Sequence, residues 1–180
     1  MEKSNRTLDD KKLLFEYLVN KLDEWRENIK YPTKDIFTKL RLQKILFFVC
    51  TINADEGNHK LLDVFNEFYA LPYGPVEIDI YNCMGNNSFA SIKFQGNLCV
   101  FDAKKMEFGE LDDELKEFVD SAIAGLKETD TKYLTCPVFN LVDLSHRWSA
   151  WQIAMRFAKF VGGHKAKLAT EDILGSTRFF

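Results

Sequence analysis

Residues 38–52 read TKLRLQKILFFVCTI and contain the longest apolar run of the chain. Their apolar side chains recur at the i, i+3, i+4, i+7 spacing of an amphipathic helix, and Thr38 is a residue type that caps helix N-termini. Further apolar residues occupy the rest of the circumference. The pattern therefore predicts a helix that forms the buried centre of the fold. Its repeating positions are Leu42, Ile45, Leu46, Val49 and Ile52, and the additional apolar ones are Leu40, Phe47, Phe48 and Cys50.

The segments on either side predict one further helix and one tight connection. Thr7 and Asp10 have capping-box spacing, and leucines then recur at helical spacing until Tyr31-Pro32 ends the segment. After the central helix, the run Pro72-Tyr-Gly-Pro75 fits neither a regular helix nor a central strand. Pro75 suits the first position of a new helix, which we expect to stop near Gly85.

Residues 89–101 change from helical period to alternation. Ala90, Ile92 and Phe94 alternate with polar residues, and Gly96-Asn97 supplies a two-residue hairpin turn before the apolar residues 98–101. Helical patterns resume over 111–126, 137–144 and from 149 to about 162. The predicted fold class is mainly α, a compact single-domain helical bundle with one small β-hairpin near residues 89–101. We expect Phe179 and Phe180 to pack on the core.

Composition narrows the function classes. The 180 residues are 46% hydrophobic and include 16 phenylalanines, enough for one large core. The net charge of -3 argues against nucleic-acid binding, which usually requires a strongly basic surface. No apolar run approaches the ~20 residues that a membrane-spanning helix needs. The polar N-terminus and four scattered cysteines indicate a reduced, cytoplasmic protein. The cysteine and histidine spacing predicts no zinc site.

The sequence contains few candidates for catalysis. Asp143 and His146 are three residues apart and could form a carboxylate-oriented imidazole on a helix end. The alternative, which we favour, is that His146 and Arg147 complement the carbonyl end of the helix dipole. Cys136 could be a nucleophile at a helix N-terminus, but nothing supplies a base, and a small buried apolar residue is the favoured interpretation.

Candidates for partner binding are cationic or aromatic. Three cations, Lys39, Arg41 and Lys44, lie on or beside the most apolar helix, where they could form a charged binding edge or an ordinary solvated face. Tyr73 and Trp148 are large amphipathic side chains near turns that could anchor a partner or fill the core.

Four blocks resemble the Panacea (SocA-like antitoxin) family. Residues 40–48 (LRLQKILFF) and 68–76 (FYALPYGPV) are similar to its two hallmark blocks. Residues 141–151 and the ending from Ile173 to Phe180 are similar to later blocks. Leu71 departs from the pattern, since the family often has tryptophan there. The resemblance covers about 38–180, so we predict an N-terminal helix or extension over 1–33 and a Panacea-like domain over 34–180, packed as one globular unit.

The resemblance implies a bacterial or phage-associated antitoxin that neutralises a cognate toxin protein by direct binding, without catalysis or cofactor. Delivery of the toxin to a cellular protease is a second implied mode. Two alternatives stay open at this point: a mobile-element counter-defence protein that inhibits a host enzyme, and a small hydrolase that uses Asp143 and His146. The predicted partner-binding residues are Lys39, Arg41, Lys44, Tyr73, Gly74, Pro75, His146 and Trp148.

Overall fold

A computed structural model describes residues 7–177, which form eight α-helices and two small antiparallel sheets. The mainly α fold class is confirmed. In chain order the helices are α1 (Leu8–Asn28), α2 (Lys39–Thr51), α3 (Lys60–Val64), α4 (Ile78–Asn86), α5 (Asp113–Lys127), α6 (Val138–Ser145), α7 (Ser149–Phe160) and α8 (Thr170–Leu174). The strands are β1 (Phe68–Leu71), β2 (Gly74–Glu77), β3 (Ile92–Gln95), β4 (Leu98–Phe101) and β5 (Ala166–Lys167).

Helix α2 is the buried centre that its apolar pattern predicts. The Thr38 hydroxyl accepts a hydrogen bond from the Arg41 amide at 3.3 Å and caps the helix. From Arg41 to Thr51 every side chain is buried, including the polar ones. Other elements pack around α2 on most sides, so the helix has almost no solvated face.

Helix α1 begins with the predicted capping box, in which Thr7 and Asp10 exchange side-chain to backbone hydrogen bonds. Its inner face adds Leu14, Phe15 and Leu18 to the same core that surrounds α2. The chain then turns at Lys30, which has a positive φ of 57°, before the predicted stop at Tyr31-Pro32.

Residues 68–77 form a second hairpin that the sequence pattern did not predict. Tyr69 pairs with Val76 and Leu71 pairs with Gly74 across a two-residue turn of Pro72 and Tyr73. Proline is tolerated in β2 because β2 is an edge strand, with β1 central between β2 and β5. The prediction that Pro75 begins a helix is therefore wrong.

Helix α4 instead starts at Ile78. The preceding residue, Glu77, caps it with a side chain that accepts a hydrogen bond from the Ile80 amide at 2.9 Å. A buried carboxylate thus takes the capping role that the sequence pattern gave to proline geometry.

The hairpin over 92–101 is confirmed. Ile92 pairs with Phe101 and Gln95 with Leu98, so Gly96 and Asn97 form the two-residue turn, with Gly96 at a φ of +60°. Ile92, Phe94 and Cys99 turn inward to the core. The alternation in the sequence therefore predicted the hairpin, although Ala90, the first residue of the alternating set, lies outside β3 and is exposed.

The chain returns to α7 after α8. Ser149 and Thr177 exchange two hydrogen bonds of 2.9 Å, which tie the last described residue to the start of α7. Phe179 and Phe180, predicted to pack on the core, lie outside the described residues. None of the helices in 7–177 combines the length and hydropathy that a bilayer-spanning segment needs.

Candidate partner-binding site

The turn of the β1–β2 hairpin presents an aromatic side chain to solvent. Tyr73 is 59% exposed, and Phe139 at the start of α6 is 57% exposed. Their ring centroids lie 6.0 Å apart with the rings at 69°, an edge-to-face contact. We call these two residues the aromatic pair.

Two side chains donate hydrogen bonds to the backbone on either side of this turn. The indole nitrogen of Trp151 donates to the Leu71 carbonyl at 2.9 Å, and Lys44 Nζ donates to the Pro75 carbonyl at 2.7 Å. These contacts come from α7 and α2, and they flank Tyr73 on both sides in sequence. The turn is therefore fixed against the core although its tip is solvated.

Gly74 is required by the close approach of this turn to the core. Its φ of +100° favours glycine, and a Cβ there would collide with the Ser145 hydroxyl and come within 3.0 Å of Lys44 Nζ. Gly74 and Pro75 are both buried. They fix the backbone next to Tyr73, and because they are buried they are not exposed as contact residues, contrary to the sequence-based prediction.

His146 is a third support of the turn. Its imidazole stacks on the Trp151 ring, with centroids 3.7 Å apart and planes at 9°. Burial lowers the pKa of His146, the nearby Lys44 ammonium lowers it further, and a hydrogen bond with the Pro72 backbone and the charge of Asp143 oppose this shift.

The predicted pairing of Asp143 with His146 does not form. Among the described residues no hydrogen bond or ion pair joins the two, Asp143 is exposed, and His146 Nε2 is buried without a hydrogen-bond partner. The geometry gives the hydrolase alternative no support, because no acid orients the imidazole and its second nitrogen does not reach solvent. Across the same residues, no group of three or more His, Cys, Asp and Glu side chains could hold a metal ion.

The predicted cationic edge is also not formed. Lys44 is fully buried, and Arg41, only 7% exposed, donates from Nη1 to the Tyr133 carbonyl and from Nη2 to the Cys136 carbonyl, both at 2.6 Å. Arg41 therefore joins α2 to the loop before α6. Lys39 is half-buried, with Nζ 5.8 Å from the centroid of the Phe94 ring.

Trp148 belongs to the core. It is 5% exposed, and its ring packs edge-to-face on Phe47 with centroids 5.2 Å apart. The structure thus leaves Tyr73 as the exposed member of the predicted set. Sequence reasoning missed Phe139, whose only signal was a large apolar residue outside the buried stripe of α6.

A comparison with protein-family models matches the chain to the SocA-like antitoxin Panacea domain over residues 42–152. The match spans more than half of the chain and includes both residues of the aromatic pair together with Lys44, His146 and Trp151. The protein therefore belongs to the Panacea family of SocA-like antitoxins. Neither the curated proteins nor the solved structures contain a significant match.

Proposed function

We propose that this protein neutralises a partner toxin by direct binding, with the aromatic pair at the interface. The observation that carries the proposal is a solvated edge-to-face pair, in which Tyr73 lies on a turn fixed by Lys44 and Trp151 and Phe139 lies at the start of α6. Aromatic side chains dominate binding hot spots, because each buries a large area with few rotatable bonds. Membership of an antitoxin family supports a protein as the partner.

The fixed turn favours binding through a low entropic cost. A contact side chain on a mobile loop must lose conformational freedom when its partner arrives, whereas a turn already tied to α2 and α7 loses little. In this proposal Gly74, Pro75, His146 and Trp148 act as supports. Lys39 remains a proposed contact residue because part of its side chain is accessible.

The test is recovery of the partner from the cells that encode this protein, followed by binding and toxicity assays with the purified pair. We expect a stoichiometric small protein whose toxicity is suppressed on co-expression. Tyr73→Ala and Phe139→Ala should each weaken binding at least about tenfold. The matched control is Tyr81→Ala, since Tyr81 is 50% exposed on α4 and lies outside the aromatic pair.

Equal binding by all three variants would contradict this interface, and failure of the wild-type protein to suppress toxicity would contradict the function. The lifetime of the toxin in cells separates two modes of neutralisation: masking leaves it unchanged, whereas delivery to a cellular protease shortens it. Recovery of a host enzyme in place of a toxin would favour the counter-defence alternative. The proposal places this protein and its partner toxin in the cytoplasm, and it requires no catalysis.

A further inference from the structure

Helix α7 exposes three large apolar side chains, while its buried side is formed by Ala150, Met155 and Ala158. Ile153, Phe157 and Phe160 are 65%, 60% and 87% exposed, whereas Ala150 and Ala158 are buried. The three exposed residues follow i, i+4, i+7 spacing and so line one side of the helix. Together with Val161, which is 59% exposed, they form what we call the α7 stripe.

A contiguous apolar stripe differs from scattered exposed apolar residues. Single ones are normal on protein surfaces, but adjoining ones mark interaction sites. From Ile153 to Phe160 the stripe extends about 10 Å, or two helical turns, at 1.5 Å per residue. It begins one residue beyond the stretch that the family model matches.

The charge around the stripe is positive in a chain that is acidic as a whole. Residues 144–170 contain five of the 24 Lys and Arg residues and none of the 27 Asp and Glu residues. Arg156 borders the stripe, and Lys159 lies one position further around α7 on the same side. Both are exposed, and neither forms an ion pair within residues 7–177. Lys167, by contrast, pairs with Glu67 at 2.7 Å.

We propose that the α7 stripe docks an amphipathic helix whose apolar face is bordered by Asp and Glu. An exposed helix presents a ridge of side chains that fits the grooves of a second helix, whereas its backbone offers no free donors or acceptors for an added strand. The acidic border follows from charge complementarity with Arg156 and Lys159. The inference rests on the proposed function only in assigning this helix to the partner toxin.

Two other occupants fit the charges less well. A second copy related by a two-fold axis would bring the same patch against itself and place Arg156 and Lys159 near their own counterparts, which is repulsive. An anionic bilayer attracts basic helices, but its binding segments carry clusters of about four to eight Lys and Arg residues. The α7 stripe is bordered by two cations, Arg156 and Lys159, so a bilayer is a weaker candidate than an acidic helix.

The test uses two synthetic helical peptides with the same leucine stripe, one flanked by Glu and one by Lys, each labelled with fluorescein. Titrated with the full-length protein, the Glu-flanked peptide should bind at least about tenfold more tightly than the Lys-flanked one. Phe157→Ser should weaken binding of the Glu-flanked peptide by a similar factor, and Arg156→Glu with Lys159→Glu should reverse the preference. The control is Val100→Ser, at a residue 40% exposed on β4, which should leave binding unchanged.

Equal affinity for the two peptides, or binding that is unaffected by Phe157→Ser, would overturn the proposal. Self-association of the protein, or binding to phosphatidylserine-containing vesicles, would also overturn it if either is lost in Phe157→Ser. The toxicity assay keeps this proposal separate from the function. If variants that no longer bind the peptide still neutralise the toxin fully, the proposal that the toxin docks on the α7 stripe is contradicted, but the antitoxin function is not. If the peptide binds but no toxin partner exists, the antitoxin function is contradicted, but the docking surface is not.

Discussion

At the scale of single residues, Lys44 shows how a cation can be part of a core. Its side chain is fully buried, and its one hydrogen bond goes to the Pro75 carbonyl, with no carboxylate in ion-pair range among the described residues. Burial lowers the pKa of the Lys44 ammonium from its ordinary 10.5 to about 7. A neutral amine can still donate the hydrogen bond that holds the turn, so the role of Lys44 does not require a charge.

The stability of the protein should therefore depend on pH through Lys44. Between about pH 7 and 10.5 the unfolded chain binds a proton at this residue and the folded chain does not, so the free energy of unfolding rises with pH across that window. Lys44→Met lacks this contribution. We therefore expect the free energy of unfolding of wild type, relative to that of Lys44→Met, to rise by a few kcal/mol from pH 7 to pH 10, since one pKa unit corresponds to about 1.4 kcal/mol. Urea denaturation at several pH values measures it.

The matched control is Lys104→Met, which removes a solvent-exposed lysine. Its free energy of unfolding, measured over the same pH range, shows how much loss of an ordinary surface lysine changes the pH dependence. This change is subtracted from that of Lys44→Met. A difference between wild type and Lys44→Met that stays constant from pH 7 to pH 10 would show that Lys44 keeps its proton in the fold.

At the scale of elements, one buried ion pair joins α1 to the β1–β2 hairpin and α4. Lys11 Nζ lies 2.8 Å from Glu77 Oε1 and 2.7 Å from Asp79 Oδ2. The Glu77 carboxylate also accepts from the Ile80 amide, and its backbone exchanges two hydrogen bonds with the Gln43 side chain of α2. Four elements thus meet at Glu77, which is completely buried.

Removing the cation should destabilise this junction strongly. Lys11→Met leaves Glu77 buried without its main charge partner, which typically costs about 3–5 kcal/mol. Lys12→Met is the control, because the ion pair of Lys12 with the exposed Asp9 is a surface contact worth less than about 1 kcal/mol. Urea unfolding at pH 7 compares the two.

A double-mutant cycle tests whether the stability lost in Lys11→Met comes from the unpaired Glu77 carboxylate. If the loss comes from the unpaired carboxylate, then Lys11→Met combined with Glu77→Gln should recover part of it. Equal losses for Lys11→Met and Lys12→Met, or no recovery in the double variant, would contradict the assigned role of the pair.

At the scale of the whole molecule, α1 shares the core of the domain although the family match begins at Leu42. Its buried apolar residues belong to the same continuous cluster as those of α2 and α5. The fold therefore gives α1 the position of an integral helix, which supports the proposal that residues 1–33 and 34–180 act as one unit. The fully or almost fully buried apolar side chains of α1 are Leu14, Phe15, Leu18, Val19 and Leu22.

Deleting residues 1–33 should abolish cooperative folding. Burial of an apolar side chain of this size contributes about 1.5–3 kcal/mol, so five of them approach the 5–15 kcal/mol total stability of an ordinary domain. Loss of Lys11 adds to this effect. We expect residues 34–180 to lose near-ultraviolet circular dichroism and a sharp thermal transition. A shortened protein that melts cooperatively within a few degrees of the full chain would show that α1 is dispensable.

Local periodicity along the chain was sufficient to predict several of the elements. Helical spacing located α2, α5 and α6, the capping box located the start of α1, and alternation around Gly96-Asn97 located the β3–β4 hairpin. Two hallmark blocks indicated the family that the family model confirms. These features depend on residues close together in the chain, so one dimension is enough to specify them.

Which side chains reach solvent could not be predicted from local periodicity, because it depends on how the elements pack together. Arg41 and Lys44 became core residues because other elements surround α2, and Pro75 became part of a strand because β2 lies at a sheet edge. Phe139, Phe157 and Phe160 stayed exposed because nothing in residues 7–177 covers them. Helical periodicity shows which residues share a side of a helix. Whether that side meets protein or water depends on elements distant in sequence, which pack there only once the chain has folded.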